Sequence, residues 1–537
     1  MKIVYLTSCL ALAGASTSTS SAAVVLETDL AIISRLWGQI STYADNPANY
    51  FGVQNVGLPN GCQIEQAHLL QRHAQRFPTG GNDDGGNDQN FAQKLANYTK
   101  AHPGDNSKFT GPLSFLSSYQ YLLGSGLLTG LGAATEFSAG VTFWNRYGRI
   151  LYNATAGQVA YNASYFNGTA RPKPVLRTTS QSRIEDSQIT WALGFFGPSF
   201  EPVPNPNIAN FTKHFNVVII PEGGTENNTL ASYDSCSNDN VDSIGFIGDD
   251  DLFTYIPKYL TAATARLQKY VPSGFKLTTN DTYAMQSICA YETQYIGSSD
   301  FCGLFTADEW SGFENTLDIE YYYDYAWGNP TGRAQGIGYL QELLARLQHQ
   351  YITVSNTSVN TSYTNNAADF PLNQPFYADF SHDDIIVSAL TALSLDYLRD
   401  PPSLTAVPPA ANRSFILSHL TPFGGRLVTE VIGCDCSDPK EQSQYRTQYS
   451  PGQYGYNPKT ATHKFIRMRL NDGILPLSSI RGGACAGRGD GLCGMSKFIK
   501  SQKNSTGLAD YQYACFGNYT IDNAKYPGRD YDGTIFP

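Results

Sequence analysis

The chain has 537 residues, a formal net charge of −10 and a pI near 5.3; charged residues make up 15% of it, aromatics 13%, and 35 residues are Tyr. A charged fraction below the roughly 25% of ordinary soluble domains, together with so many aromatics, excludes a disordered chain. The acidic balance, with no basic run and no basic–aromatic platform, excludes a nucleic-acid surface, and the length allows one large domain or two.

The chain opens as a secretory signal. Lys2 supplies the charged start, residues 3–12 are apolar apart from Thr7 and Ser8, and Ala13-Gly14-Ala15 has the small-x-small form of a cleavage site. The signal and the start of a polar arm fill residues 1–23, and the arm continues over 24–61. No later apolar run is long enough to span a bilayer, and the end at residues 532–537 has no tail for a lipid anchor. Secretion fits the N-x-Ser/Thr sequons at Asn97, Asn153, Asn162, Asn167, Asn210, Asn227, Asn280, Asn356, Asn360, Asn412, Asn504 and Asn518. The expectation is an extracellular protein carrying N-linked glycans, with no membrane and no nucleic-acid partner; attachment to a cell wall is left open.

Residues 63–70 read as a strand. It runs into a tight turn, Arg72-His73-Ala74-Gln75-Arg76-Phe77-Pro78. Two guanidiniums beside one imidazole depress its pKa. They become useful when a phosphate dianion sits between them, because the Arg fork matches its oxygens. A neutral His73 aimed at that phosphorus is a nucleophile. Residues 79–88 form a glycine-rich acidic loop without the Gly-Lys-Ser/Thr of a phosphate-binding loop. Its acidity would repel phosphate, so it reads as a flexible rim.

Residues 91–150 are expected to be helical, with Leu113, Leu116, Tyr119, Leu122 and Leu123 on one stripe and Phe137, Val141 and Trp144 on another. Residues 151–173 read as an exposed loop. Residues 174–180 look like a second strand and turn, with Ser180 as N-cap of a helix from Arg183. Residues 215–220 are a continuous apolar run, typical of a buried parallel strand. Helical stripes return over 250–350. A third strand, 375–381, runs into His382-Asp383 and a helix, and residues 426–432 and 465–470 alternate as later strands.

Strand, turn and helix thus recur three times, with polar residues just after each strand. In an open parallel sheet that edge binds ligands. The reading is one α/β domain from 62–78, 174–235 and 351–537, with a mostly helical insert from 79–173 and 236–350.

The turn at residues 72–78 resembles the Arg-His-Gly-x-Arg-x-Pro signature of the histidine acid phosphatases, the family that includes fungal phytases, with Ala74 in place of glycine. Ser381-His382-Asp383-Asp384 supplies the family's distant His-Asp pair. Residues 301–310 and 328–339 resemble the helical cap of fungal phytases, and the likeness runs over most of 62–520. It implies a phosphoglycerate-mutase-like α/β domain with a parallel-rich central sheet flanked by helices, plus an inserted helical cap domain.

It also implies a hydrolysis of phosphate monoesters through a phosphohistidine on His73. Arg72, Arg76 and Arg177 would bind phosphate, His382 would donate to it, and Asp383 would be the general acid. Arg183 reads as structural, and Asp384 as a helix cap. Among the cysteines, Cys9 lies in the signal and the remaining odd number leaves one thiol free. Spacing leaves the connectivity open; the resemblance implies Cys62–Cys434, Cys236–Cys515, Cys289–Cys302 and Cys485–Cys493, with Cys436 over.

The other histidines, His68, His102, His214, His349, His419 and His463, form no ligand pattern, so no metal or cofactor is expected. Arg488-Gly489-Asp490 is given no function, and the tyrosines of 321–325 are either core or cleft entrance. Phytases that favour inositol hexakisphosphate place lysines around the entrance. Here Asp83, Asp84 and Asp88 stand in one such region and Asp318, Glu320 and Asp324 in the other. The expected activity is therefore a broad acid phosphatase, with a true phytase as alternative. A mutase-type isomerase shares the Arg-His start but acts on cytosolic substrates. A catalytically inactive secreted binding or wall glycoprotein is the reading from another class.

Overall fold

The computed structural model describes residues 24–81, 84–155, 157–158, 161–162, 171–197, 214–224 and 226–537. The signal-type segment and the sequons at Asn167 and Asn210 lie outside the described residues.

Strand β1 (Cys62–Arg72) is central. Its two faces feed two different cores, because successive side chains in a strand point to opposite sides. Leu69 packs with Leu176, Phe376, Phe380 and Trp191 on one side, and Leu70 with Val175, Val218 and Leu427 on the other. Burial on both faces also takes in polar residues of β1, Gln63, His68, Gln71 and Arg72.

The sheet contains β2 (Val175–Thr179), β3 (Asn216–Ile220), β4 (Phe376–Ser381), β5 (Arg426–Cys434), β6 (His463–Leu470), and the short β7 (Gly473–Ile474) and β8 (Cys493–Gly494), in the order β3-β2-β4-β1-β5-β6-β7 with β8 beside β6. Strands β3, β2, β4 and β1 are parallel, and β5 and β6 continue antiparallel. The parallel half therefore ends on one edge, and β1, β2, β3 and β4 all deliver their next residues there.

The main helices are α1 (Gly86–Ala101), α2 (Gly130–Phe143), α3 (Ser182–Phe196), α4 (Ile247–Leu267), α5 (Thr279–Ile296), α6 (Ala307–Tyr325), α7 (Gly332–Leu347) and α8 (Asp383–Ala392). Capping boxes start two of them, Thr278 with Asp281 for α5 and Thr306 with Glu309 for α6. Helix α2 lies on α3 backbone to backbone. A Cβ on Gly140 would come within 2.0 Å of the Trp191 carbonyl, and one on Gly194 within 2.0 Å of the Phe137 carbonyl. Cystines join Cys62–Cys434, Cys236–Cys515, Cys289–Cys302 and Cys485–Cys493, and Cys436 is free and exposed.

Several expectations need correction. Residues 91–150 are not one helical run. Short 3-10 turns at Pro103–Lys108 and Gly111–Ser117 and an irregular stretch separate α1 from α2. Leu122 is exposed rather than on a buried stripe, and Phe137 is exposed as well. Pro103 cannot continue the helix that ends at Ala101, and both Pro103 and Pro112 sit in the first turn of their 3-10 segments, where no backbone donor is needed. Strand β3 is an edge strand, half-buried rather than fully covered. Helix α3 is capped at Gln181, not Ser180, whose hydroxyl instead accepts from the Glu222 N–H at 2.9 Å. Helices α2 and α7, placed in the insert by sequence, pack against α3 and α8.

Candidate active site

The turn after β1 is fixed by its neighbours. The His73 N–H donates to the Ser381 carbonyl at 3.1 Å, the Gly424 N–H donates to the His73 carbonyl at 3.0 Å, and the Arg72 N–H donates to the Gly425 carbonyl at 2.8 Å. Ala74 is not among the residues of positive φ, so the turn does not require glycine, and its methyl is buried.

The His73 Nδ1 lies 2.8 Å from the Ala74 carbonyl, so that nitrogen carries the proton. Its buried Nε2 has no hydrogen-bond partner. Burial first, then Arg72, Arg183, Arg76 and His382, hold the imidazole pKa well below its ordinary 6.5. The ring is therefore neutral, with its free lone pair on Nε2.

Arg72 is fully buried. Its Nη1 donates to the carbonyls of Gln39 at 2.5 Å and Thr421 at 2.6 Å, and its Nη2 lies 2.7 Å from Asp383. The guanidinium also lies over the Phe423 ring, 4.6 Å from its centroid. Arg76 pairs with Asp84 at 2.9 Å, and Asp84 is further held by Thr79 and the Tyr291 hydroxyl. The acidic loop therefore does not merely form a rim. Asp84 turns inward and neutralises Arg76.

His382 and Asp383 follow β4 directly. The His382 Nε2 is 2.9 Å from Glu222 and 3.1 Å from the Tyr233 hydroxyl, and its ring centroid is 5.8 Å from that of His73. Asp383 accepts from the Tyr321 hydroxyl at 2.6 Å. Burial pushes the Asp383 pKa up, but Arg72, Arg76 and the Tyr321 hydrogen bond pull it below its ordinary 3.8. Burial and the neighbouring Asp383 hold Asp384 well above that value, while its carboxylate accepts from the Ile385 N–H at 2.8 Å.

Arg177 is not in this site. In register it lies opposite Asp379, which in turn lies opposite Leu70. It is thus level with Leu70 and about 10 Å short of His73 along the strand at roughly 3.3 Å per residue. Its guanidinium is buried against Asp379 at 2.7 Å and Glu342 at 2.6 Å, and Arg346 takes the other side of Asp379 at 2.7 Å. The cleft takes Arg183 instead, from the first turn of α3. The positional rule that polar residues just after a strand face the ligand favours Arg183, because Arg177 is inside its strand.

The cleft has a volume of about 380 Å³. Arg76, Arg183 and His382 line it together with Asp84, Asp239, Glu320, Asp383 and Asp384, and among the described residues no lysine does. Tyr321 and Tyr325 are in its wall, whereas Tyr322 and Tyr323 belong to the core. Glu222, Tyr233 and Gln39 were not singled out by sequence, since each acts through a contact far away in the chain. Among the described residues no group of three or more His, Cys, Asp or Glu is placed to hold a metal. The Asp490 of the Arg-Gly-Asp tripeptide is buried against Arg488 at 2.5 Å, so the tripeptide is not displayed.

The profile of the histidine phosphatase superfamily (branch 2) matches residues 63–469. Phytase A of Aspergillus oryzae is 29% identical over 486 residues, covering 87% of this chain and 88% of its own. Phytase A of Aspergillus terreus is 30% identical over 449 residues, covering 80% of this chain and 82% of its own. The crystal structure of the phytase from D. castellii, at 20% identity, superposes with a TM-score of 0.65 over 94% of this chain and 93% of that one, a likeness of fold.

Proposed function

The chain belongs to branch 2 of the histidine phosphatase superfamily and is a phytase-like phosphoric monoester hydrolase, and from that premise we propose how its residues divide the reaction. The His73 Nε2 attacks the phosphorus of a monoester held by Arg72, Arg76 and Arg183, and the P–O ester bond breaks. His382 donates to a phosphate oxygen. Asp383 gives its proton to the leaving alkoxide, then takes one from the water that hydrolyses the phosphohistidine. Asp383 is ionised while Arg72 holds it. A bound phosphate dianion competes for Arg72 and Arg76, which raises the carboxyl toward protonation and suits an acidic medium. The observation that carries this reading is the neutral His73 with a free Nε2 between three guanidiniums.

The test is a single turnover with a radiolabelled monoester, quenched in alkali. Label on His73, absent in His73→Ala that is still folded, is the expected result. Turnover of more than a few per cent in His73→Ala overturns the covalent route.

On substrate, the acidic wall favours small monoesters over a polyanion, because Asp239, Glu320 and Asp84 stand where a highly charged ester would need cations. The relatives named phytase support a second reading, hydrolysis of inositol hexakisphosphate. A substrate panel across pH that includes phytate separates the two. The signal-type start and the sequons support secretion as a glycoprotein; among the described residues no helix is long and apolar enough to cross a membrane.

A further inference from the structure

A second cationic cavity lies on the antiparallel half of the sheet and shares no lining residue with the cleft. Its floor is a buried triad. Glu430 on β5 takes the Nε of Arg467 at 2.5 Å and the Nε of Arg469 at 3.0 Å, both from β6, and the Tyr147 hydroxyl at 3.0 Å. Both Glu430 oxygens are thereby occupied, while the terminal nitrogens of Arg467 have no hydrogen-bond partner among the described residues. Arg467 is only 3% exposed.

One wall is the π-turn Trp144–Gly148, which brings Arg146 and Tyr147 to the cavity. The other is the loop that carries Arg446 and Gln448. Arg446 bonds to the amide oxygens of Asn60 and Gln442 and lies over the Tyr454 ring, and among the described residues it has no carboxylate partner. The Gln448 side-chain amide is buried at both of its polar atoms, and among the described residues neither has a hydrogen-bond partner. An unpartnered amide in such a place is unfavourable unless a ligand or water meets it.

Charge points the same way. Arg146, Arg446, Arg467 and Arg469 line the cavity with Glu430 and Asp472. The adjoining Asp45 pairs with Arg146 at 2.6 Å and with Arg426 at 3.4 Å, so five cations stand against three carboxylates and two positive charges are left over. The space is about 90 Å³. That is room for a few water molecules at about 30 Å³ each, and so for one small ion rather than an organic ester.

We propose that this cavity is a second anion site, which holds one tetrahedral oxyanion dianion, inorganic phosphate or sulfate, between Arg446, Arg467 and Gln448. Guanidinium forks and an amide N–H match such oxygens in number and direction. The proposal stands apart from the catalytic reading, because none of these residues lines the cleft.

The experiment is calorimetric titration of the full chain with phosphate and, separately, with sulfate. Wild type should bind two anions. Arg183→Ala should lose the cleft site and keep the other. Arg446→Gln combined with Gln448→Ala should weaken the second site at least tenfold, while phosphate still inhibits monoester turnover at the cleft as in wild type. Arg446 and Gln448 are on a surface loop, and equal melting in anion-free buffer checks the fold; Gln448→Ala alone serves if the double variant melts early. Two sites of unchanged affinity in the loop variants, or one site in wild type, would overturn the proposal. A site filled by sulfate but not by phosphate would also overturn it as a phosphate site.

Discussion

The cleft and the Arg177 cluster are built from the same groups at different heights in one sheet. In the cluster, Arg177 and Arg346 face Asp379 and Glu342, so charge is balanced and every member is buried. In the cleft, Arg72 and Arg76 meet Asp383 and Asp84, and Arg183 adds a further cation. Two buried histidines differ in their surroundings and not in their bonding. His68 stacks on Tyr377 beside the cluster with its Nε2 on Gln66, His73 sits among Arg72, Arg76 and Arg183, and each keeps one ring nitrogen without a partner among the described residues. Balanced charge in a dry interior holds strands together, and a surplus of donors at the strand ends is left for a ligand.

The sharpest test of this contrast is Asp383→Asn. If Asp383 supplies the leaving-group proton, single-turnover phosphorylation should fall by about a hundred- to ten-thousand-fold on an alkyl ester. A nitrophenyl ester needs little protonation and should slow only mildly. Equal losses on both esters would make Asp383 a positioning group for Arg72.

Arg183→Ala and Arg177→Ala divide the two regions directly. Arg183→Ala should lower kcat by about a hundred- to a thousandfold, the usual loss for a transition-state donor, with an unchanged melting temperature. Arg177→Ala should act on the fold. It leaves Asp379 and Glu342 short of a cation in the interior, at a cost of about 3–5 kcal/mol, read by urea denaturation. A catalytic loss with full stability in Arg177→Ala would return that residue to the site.

The smallest effect concerns acid stability. Burial first, then Arg346, pushes the His68 pKa down to about 3 from its ordinary 6.5. Between those values the unfolded chain binds the extra proton, so stability rises with pH there and is lost as pH falls from 6.5 toward 3. The slope from this one group is about 1.4 kcal/mol per pH unit. His68→Gln should flatten the pH dependence of unfolding by that amount between pH 6 and 4. An unchanged slope would mean that His68 is not held neutral.

Much of the site is legible in the sequence, because the strand–turn–helix order puts Arg72, His73 and Arg76 after one strand and His382 and Asp383 after another. Adjacent residues share an address, and periodicity gives each strand its edge. The misreading of Arg177 came from a register that no single segment contains: opposite Asp379, it is too far down β2 to reach the cleft. Asp84 was misread because its partner, Arg76, lies across a loop whose course depends on Tyr291 of α5. Glu222 and Tyr233 gain meaning only from contact with His382 on another strand.

The sequence by itself therefore determined the α/β character and the placing of Arg72, His73 and Arg76 together after one strand, since these depend on local order within a few residues. The tertiary structure decided which third arginine faces the cleft, which nitrogen of His73 is free, that Ala74 suits its turn, and where surplus positive charge collects. Those are properties of strand register and burial. They depend on groups brought together from distant parts of the chain, whose charges become strong only where water is excluded.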